Sequence, residues 1–142
     1  KVNPPLRSDS DRTALIKGIK DGTIDCISTH HSAQNKDAKV CEFEYAGYGT
    51  LGLEAVFGIL GKTVLTTDEI LDAICFNPRK IFNIENCIEL GNIADLTLFD
   101  ENMNGNFELS KNKSKSINSA YLNMSTKGSP IATILKESYH KN

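Results

Sequence analysis

Two of the chain's three histidines, His30 and His31, stand side by side directly after the apolar run Ile24–Ile27 and two hydroxyl residues, Ser28 and Thr29. Imidazoles can ligate a metal or move a proton near neutrality, because their unperturbed pKa is about 6.5. A short apolar run that ends in Thr-His-His has the pattern of a buried strand delivering polar groups at its C-terminal end. In an α/β barrel that end houses the chemistry, since the loops after the strands form the active face. By itself such a pair is more commonly an ordinary satisfied pair at a strand end. His140, in a polar tail, reads as surface.

The segment after the histidines supports a site. Residues 32–49 form a long polar stretch carrying Asn35, Lys36, Asp37, Lys39, Glu42 and Glu44. Loops of this length are uncommon unless they line or cover a site. Gly47 and Gly49 near its end let the backbone come close to a ligand or to a neighbouring strand. Glu42 and Glu44 read as a solvated loop face. Phe43, Tyr45 and Tyr48 are expected to pack the loop down onto the fold.

The elements that must position these residues follow from the pattern around them. Asn3-Pro4-Pro5 is extended or polyproline-like. Ser8 is placed to cap a helix, with Asp11 three residues on, an apolar face of Ala14, Leu15, Ile16 and Ile19, and a stop at Asp21-Gly22. The strand at 24–29 alternates too little to be half-exposed and is expected to be buried on both faces. Helix then strand with a short turn is the half-unit of a parallel α/β fold. A second helix is expected over 50–60, and a third capped by Thr66 or Thr67 with Ile70, Leu71, Ile74 and Cys75 inward. A short helix restarts at Asn77-Pro78, with asparagine as its cap. Beyond it the pattern turns to strand within 88–99, with shorter strands near 106–109 and 131–135. This tail is expected to pair with strands outside the chain, and its last residues to fray.

Composition sets bounds. Hydrophobic residues at 39%, charged residues at 24% and a formal charge of −2 over 142 residues fit a single soluble core and give no electrostatic case for nucleic acid. No apolar run approaches the ~20 residues that span a bilayer. The four cysteines, Cys26, Cys41, Cys75 and Cys87, show no Cys-x-x-Cys spacing and read as buried free thiols of a cytoplasmic protein. The chain opens on Lys1, and Val2–Arg7 has no preceding element to pair with, which leads us to expect a C-terminal piece of a longer protein.

Several stretches together resemble the C-terminal part of a dihydroorotase, of the amidohydrolase superfamily. They are Asn3-Pro-Pro-Leu-Arg7, Asp21-Gly-Thr-Ile-Asp-Cys-Ile-Ser-Thr-His-His31, Glu44-Tyr-Ala-Gly-Tyr-Gly-Thr-Leu-Gly-Leu-Glu54, Asn77-Pro78 and Gly91-Asn-Ile-Ala-Asp-Leu96. The match is dense from Asn3 to about Asp100 and thin after it. The resemblance implies an α/β fold, the C-terminal part of a (β/α)8 TIM-type barrel with part of a small β-sandwich. Residues 1–85 would hold the last barrel strand and the C-terminal helices, and residues 86–142 the β segment that completes the sandwich. A whole barrel needs ~250 residues, so this chain would hold only part of one. The implied activity is interconversion of carbamoyl-aspartate and dihydroorotate, a cyclic amide of pyrimidine biosynthesis, with a binuclear zinc centre in the family. That centre's main ligands belong to other strands, so no zinc is expected on this chain alone, which by itself is expected to be inactive.

The same resemblance marks two departures. After the last strand the family has Asp-His-x-Pro-His, and this chain has His30-His31-Ser32-Ala33-Gln34. His30 stands at the position of the aspartate that touches metal and shuttles the proton. Gln34 stands where a histidine helps hold the substrate carboxylate. Asn3 and Gly49 match the remaining substrate-binding positions, and His30 is a weak candidate metal ligand. Positioned acid–base help is worth roughly 10²–10⁴-fold, and an imidazole of different length and charge forfeits much of it. Impaired or lost dihydroorotase activity is therefore expected. The alternatives are a catalytically inactive homologue that scaffolds aspartate transcarbamoylase, and an amidohydrolase acting on another cyclic amide. Expected partners are the small-molecule substrate, the missing N-terminal part of the barrel, and a second copy or aspartate transcarbamoylase; neither nucleic acid nor membrane is expected.

Overall fold

The computed structural model describes residues 1–84 and 88–141. The expected domain boundary at 85/86 and Cys87 lie outside the described residues. Helix α1 (Asp9–Lys20) begins as its sequence requires. The Ser8 hydroxyl accepts from the Asp11 backbone N–H, and the Asp11 carboxylate accepts from the Ser8 N–H at 3.1 Å, a complete capping box. The Ser8 hydroxyl, which also donates to the Asp11 carboxylate at 2.7 Å, and then the Ser8 N–H hold that carboxyl below its ordinary range. The apolar face of α1 is only partly used: Ile16 and Ile19 are half-buried, while Leu15 stays 56% exposed. What α1 does bury is Gly18, where a Cβ would lie 2.9 Å from the Ile24 side chain.

The run 24–29 corrects one expectation. It is extended but pairs with no strand, and it is not buried on both faces, since Asp25 and Ser28 are exposed. Its main chain is held from the side. Ile24 N–H donates to Gly18 O at 2.8 Å, and Ile27 N–H to Ala73 O at 2.9 Å. A ladder requires a neighbouring strand, and no segment among the described residues lies alongside to provide one.

The second helix is shorter than expected, α2 (Val56–Leu60). Residues 50–53 are drawn out by tertiary bonds, Leu51 N–H reaching Asn118 O at 2.9 Å, and Gly52 has little helix propensity to resist them. Helix α3 (Thr67–Leu71) has its predicted cap. Thr66 and Glu69 form a second capping box, and the Thr66 N–H holds the Glu69 carboxyl below its ordinary range. The expected restart at Asn77 is replaced by continuity. A π-helical turn (Asp72–Phe76) runs into α4 (Asn77–Ile81), with Asn77 N–H bonded to Asp72 O. Pro78 has no N–H to give the preceding turn, and the wider π turn absorbs that missing donor. Asn77 is thus inside the helix, and its side chain spans instead to Asp25 O at 2.9 Å.

The C-terminal segment forms an antiparallel sheet in the order β1 (Asp95–Asn106), β2 (Ser125–Leu135), β3 (Ser138–Lys141). The expected strands at 88–99 and 131–135 begin later and earlier respectively. The expected strand at 106–109 is absent: Phe107 leaves the sheet into the core, and Leu109–Lys111 form a 3-10 turn. Among the described residues the tail pairs with itself, and the expected fraying is not seen as far as Lys141, because Tyr139 and His140 stand opposite Ile134 and Thr133 in register. Pro130 sits beside a register shift at Leu98/Phe99, the kind of place where a strand tolerates a residue without a donor.

The sheet packs on α2 through close backbone approach. A Cβ at Gly61 would stand 2.0 Å from Lys127 O, and the Phe57 ring meets Phe99 edge-on at 4.9 Å. The core is small, centred on Leu51, Ala55, Ile70, Ala73, Phe107 and Ala132. The thiols correct the cysteine reading: Cys26 and Cys75 are half-buried and Cys41 is exposed. No helix among the described residues is long and apolar enough to cross a membrane. Gly61→Ala is expected to destabilise the fold by about 2–3 kcal/mol, as overpacking does when backbone must move. It would be read as a lower urea midpoint at unchanged slope; an unchanged midpoint would contradict the packing described.

Candidate functional site

His30 marks the turn at the end of the extended run. Its φ is +44°, a left-handed conformation that costs an L residue roughly 1–2 kcal/mol and that histidine adopts more readily than most. Its N–H is taken by Ser28 Oγ at 3.3 Å, and the residue is exposed. His31 is half-buried, its N–H bonded to Thr29 Oγ1 at 3.2 Å and its Nδ1 facing the N–H groups of Gly52 and Leu53, each at 3.2 Å.

The loop 32–49 then folds back on itself and closes at Gly49. Ser32 N–H reaches Thr50 O at 3.1 Å. A Cβ at Gly49, whose φ is +130°, would stand 2.4 Å from Ser32 O, so only glycine allows this closure. Gly49 N–H donates to Lys1 O at 3.1 Å, and its carbonyl accepts from Asn118 Nδ2 at 3.2 Å. Both the N–H and the carbonyl of Gly49 are thus engaged, and the residue is buried.

Gln34 is turned into the loop. Its amide nitrogen reaches Tyr48 O at 2.8 Å and Ser32 Oγ at 3.2 Å, which uses both N–H donors. In this rotamer Gln34 has an acceptor left and no donor for a carboxylate. Asn3 is exposed and lies two residues from Lys1, whose carbonyl bonds Gly49. Thus Gln34, Ser32, Gly49 and the N-terminal segment form one connected patch, with His30 at its upstream rim.

Three groups that hold this patch carry no signal in the sequence. Lys39 donates to Lys1 O at 3.0 Å and to Gly47 O at 2.7 Å, tying the N-terminal segment to the loop end. Ser116 Oγ donates to Gln34 O at 2.5 Å from 82 residues away. Glu54 accepts the N–H groups of Lys113 and Ser114, each at 2.9 Å, and so fixes the turn that delivers Ser116 and Asn118. Only the polar character of residues 110–119 could have marked Ser116, and that pattern reads equally as an open tail.

The loop aromatics correct another expectation. Phe43, Tyr45 and Tyr48 are 72%, 77% and 58% exposed and do not pack the loop down. The Lys1 ammonium lies over the Phe43 and Tyr48 rings instead, 5.3 and 4.6 Å from their centroids. Glu42 and Glu44 are exposed, as a solvated face requires. A cavity of about 470 Å³ lies elsewhere, between the sheet and α3, lined by Phe57, Leu65, Thr66, Asp68, Glu101 and Lys127.

Among the described residues no group of three or more His, Cys, Asp or Glu is placed to hold a metal ion. The residues described do not themselves make a binuclear zinc centre. The polar groups that the patch leaves unused are an amide oxygen at Gln34 and an imidazole at its rim.

The sequence profile of the amidohydrolase family matches residues 3–136. A dihydroorotase of Endomicrobium trichonymphae is 37% identical over 142 residues, covering 95% of this chain and 34% of its own length. That of Caldicellulosiruptor saccharolyticus is 40% identical over 128 residues, with coverage of 86% and 30%. Among solved structures, an L-hydantoinase (dihydropyrimidinase) from Arthrobacter aurescens superposes with a TM-score of 0.81 at 25% identity, over 98% of this chain and 33% of its own. A D-hydantoinase (dihydropyrimidinase) from Thermus sp. gives 0.84 at 19% identity, over 97% and 32%, a likeness of fold alone. The chain spans about a third of the length of the relatives it matches.

The loop closure generates a prediction. Gly49→Ala is expected to destabilise by about 2 kcal/mol or more, from a strained φ and a displaced Ser32, and Lys39→Met by about 1 kcal/mol, from lost bonds to a charged donor. Urea midpoints of the two variants check this; Gly49→Ala matching the parent would contradict the closure.

Proposed function

The chain belongs to the amidohydrolase family, and we propose that it forms the C-terminal barrel segment and part of the sandwich of a dihydroorotase-like enzyme whose reaction is impaired or lost. The observation that carries this reading is the conjunction of dihydroorotase relatives at 35–40% identity with His30 and Gln34 at the two positions that should move the proton and hold the anion. Asn3, Gln34 and Gly49 are the substrate-binding positions under this reading, and His30 the acid–base position. The geometry of Gln34 supports impairment, since both of its donors are spent within the loop. A carboxylate arriving there meets an amide oxygen unless the side chain rotates, and a neutral amide returns no charge even then.

The remaining barrel strands and helices are the partner that this chain's surface asks for. Leu6, Leu15, Ile81 and Phe82 are 89%, 56%, 55% and 73% exposed, a large apolar area for a soluble protein to leave open. Those units come from the same polypeptide or from a complementary one.

A second reading has its own support. The L-hydantoinase likeness at 25% identity, together with an uncharged Gln34, favours a cyclic amide that lacks the ring carboxylate. A scaffolding role beside aspartate transcarbamoylase is the outcome if no cyclic amide is turned over. The test uses the intact protein with dihydroorotate and with hydantoin. Weak or absent dihydroorotate turnover is expected, rising by about 10²–10⁴-fold in His30→Asp, as restoring a positioned proton carrier does. Full dihydroorotate turnover in the parent, lowered by His30→Asp, would overturn the reading. Hydantoin turnover in the parent would select the second one.

A further inference from the structure

His31 has no task under the proposed function. Its Nδ1 faces two backbone donors, Gly52 N–H and Leu53 N–H, each at 3.2 Å. A ring nitrogen that receives two donors must present its lone pair, so the neutral imidazole carries its proton on Nε2. The bonds do more than satisfy the ring. Ser32 N–H to Thr50 O at 3.1 Å and the close fit of Gly52 on Thr29, whose carbonyl would lie 3.2 Å from a Cβ there, join the same two segments. Leu51, between them, is 1% exposed and is held from the far side by Asn118 O. Gly49 opens this stretch, and its backbone direction is set by where residues 50–53 are anchored.

We propose that His31 is a positioning residue: its Nδ1 lone pair, by accepting from Gly52 and Leu53, anchors residues 50–53 against the strand end and so fixes the Gly49 backbone for a bound cyclic amide. The last step rests on the dihydroorotase-like reading; the anchoring itself does not. Asparagine is the conservative test, because its Oδ1 stands the same number of bonds from Cα as Nδ1 and is an acceptor. Glutamine carries its oxygen one bond further out, and phenylalanine has no acceptor. Loss of the lone pair leaves the donor of buried Gly52 unpaired, which is where removal of a partner is most costly, and returns that of exposed Leu53 to water.

The experiment is nitrogen NMR on the intact protein, with amide exchange read at Gly52 and Leu53. The expected result is an unprotonated Nδ1 and a protonated Nε2 in the parent. Exchange at both amides should speed up by about tenfold or more in His31→Phe and His31→Gln, the change that roughly 1.4 kcal/mol brings, and return to near the parental rate in His31→Asn. A proton found on Nδ1, or His31→Phe exchanging as the parent does, would overturn the anchoring. If His31→Phe does not fold, the parental tautomer and the His31→Asn rates still decide. Dihydroorotate binding by calorimetry tests the second step: a loss of about tenfold in His31→Gln with retention in His31→Asn supports it, and unchanged affinity in a variant with loosened amides overturns it. A parent that binds no dihydroorotate removes the substrate reading, while tautomer and exchange continue to judge the anchor.

Discussion

An extended segment in water must find partners for its main-chain donors and acceptors, and the run 24–31 finds them in helices and loops, not in strands. Gly18 at the end of α1, Ala73 in the π turn and Asn77 at the start of α4 each take one bond to it, and Thr50 takes the next at Ser32. Those four contacts bring α1, the helical stretch 67–81 and the loop closure to one line. The π turn belongs to the same constraint. It is the point where the helix both accepts Ile27 and makes room for Pro78. If this run were displaced, the two flanking helical regions would lose their shared reference, and His30 its place.

The patch around Gly49 depends on that line at one remove. The run ends at His30 with a left-handed turn, and the chain then leaves for 18 residues, 32–49, and comes back within contact of Ser32. Closing such a loop costs entropy that grows only slowly with length, so a few well-made bonds hold it. Here they are the Gly49 approach, the Lys39 ammonium on two carbonyls, and the reach of Ser116 and Asn118 from the tail. The Gln34 amide is part of this bracing, its nitrogen on Tyr48 O and Ser32 Oγ.

Local chemistry was legible in the sequence where it is decided locally. The capping box at Ser8–Asp11 was readable from residue type and spacing, as were a threonine cap at Thr66 or Thr67 and the glycine at the loop's end. The helix over 50–60 was not, because Gly52 and Leu53 give their N–H groups to His31, 21 and 22 residues away. The hairpin of β2 and β3 was missed because polar residues such as Lys136 and Ser138 look like a frayed end until a partner strand is beside them. The strand at 24–29 shows the reverse. Its composition is that of a strand buried on both faces, and its surroundings among the described residues do not bury it. The positions of His30, Gln34, Asn3 and Gly49 came from family likeness, since their neighbourhood is assembled from chain segments as far apart as Lys1 and Asn118.

That mismatch between an inward-facing composition and an unpaired backbone is what the proposed function accounts for: under it, residues 24–29 would be one strand of a larger sheet, with His30 at its mouth. Cys26 and Ser28 have no backbone partner for their N–H groups among the described residues. Amide hydrogen exchange of these two positions in the intact protein measures the claim directly. Exchange as slow as that of Ile27, whose N–H is bonded to Ala73 O, is the predicted result, because flanking strands would then complete the ladder. Exchange at the rate of an open loop would contradict it.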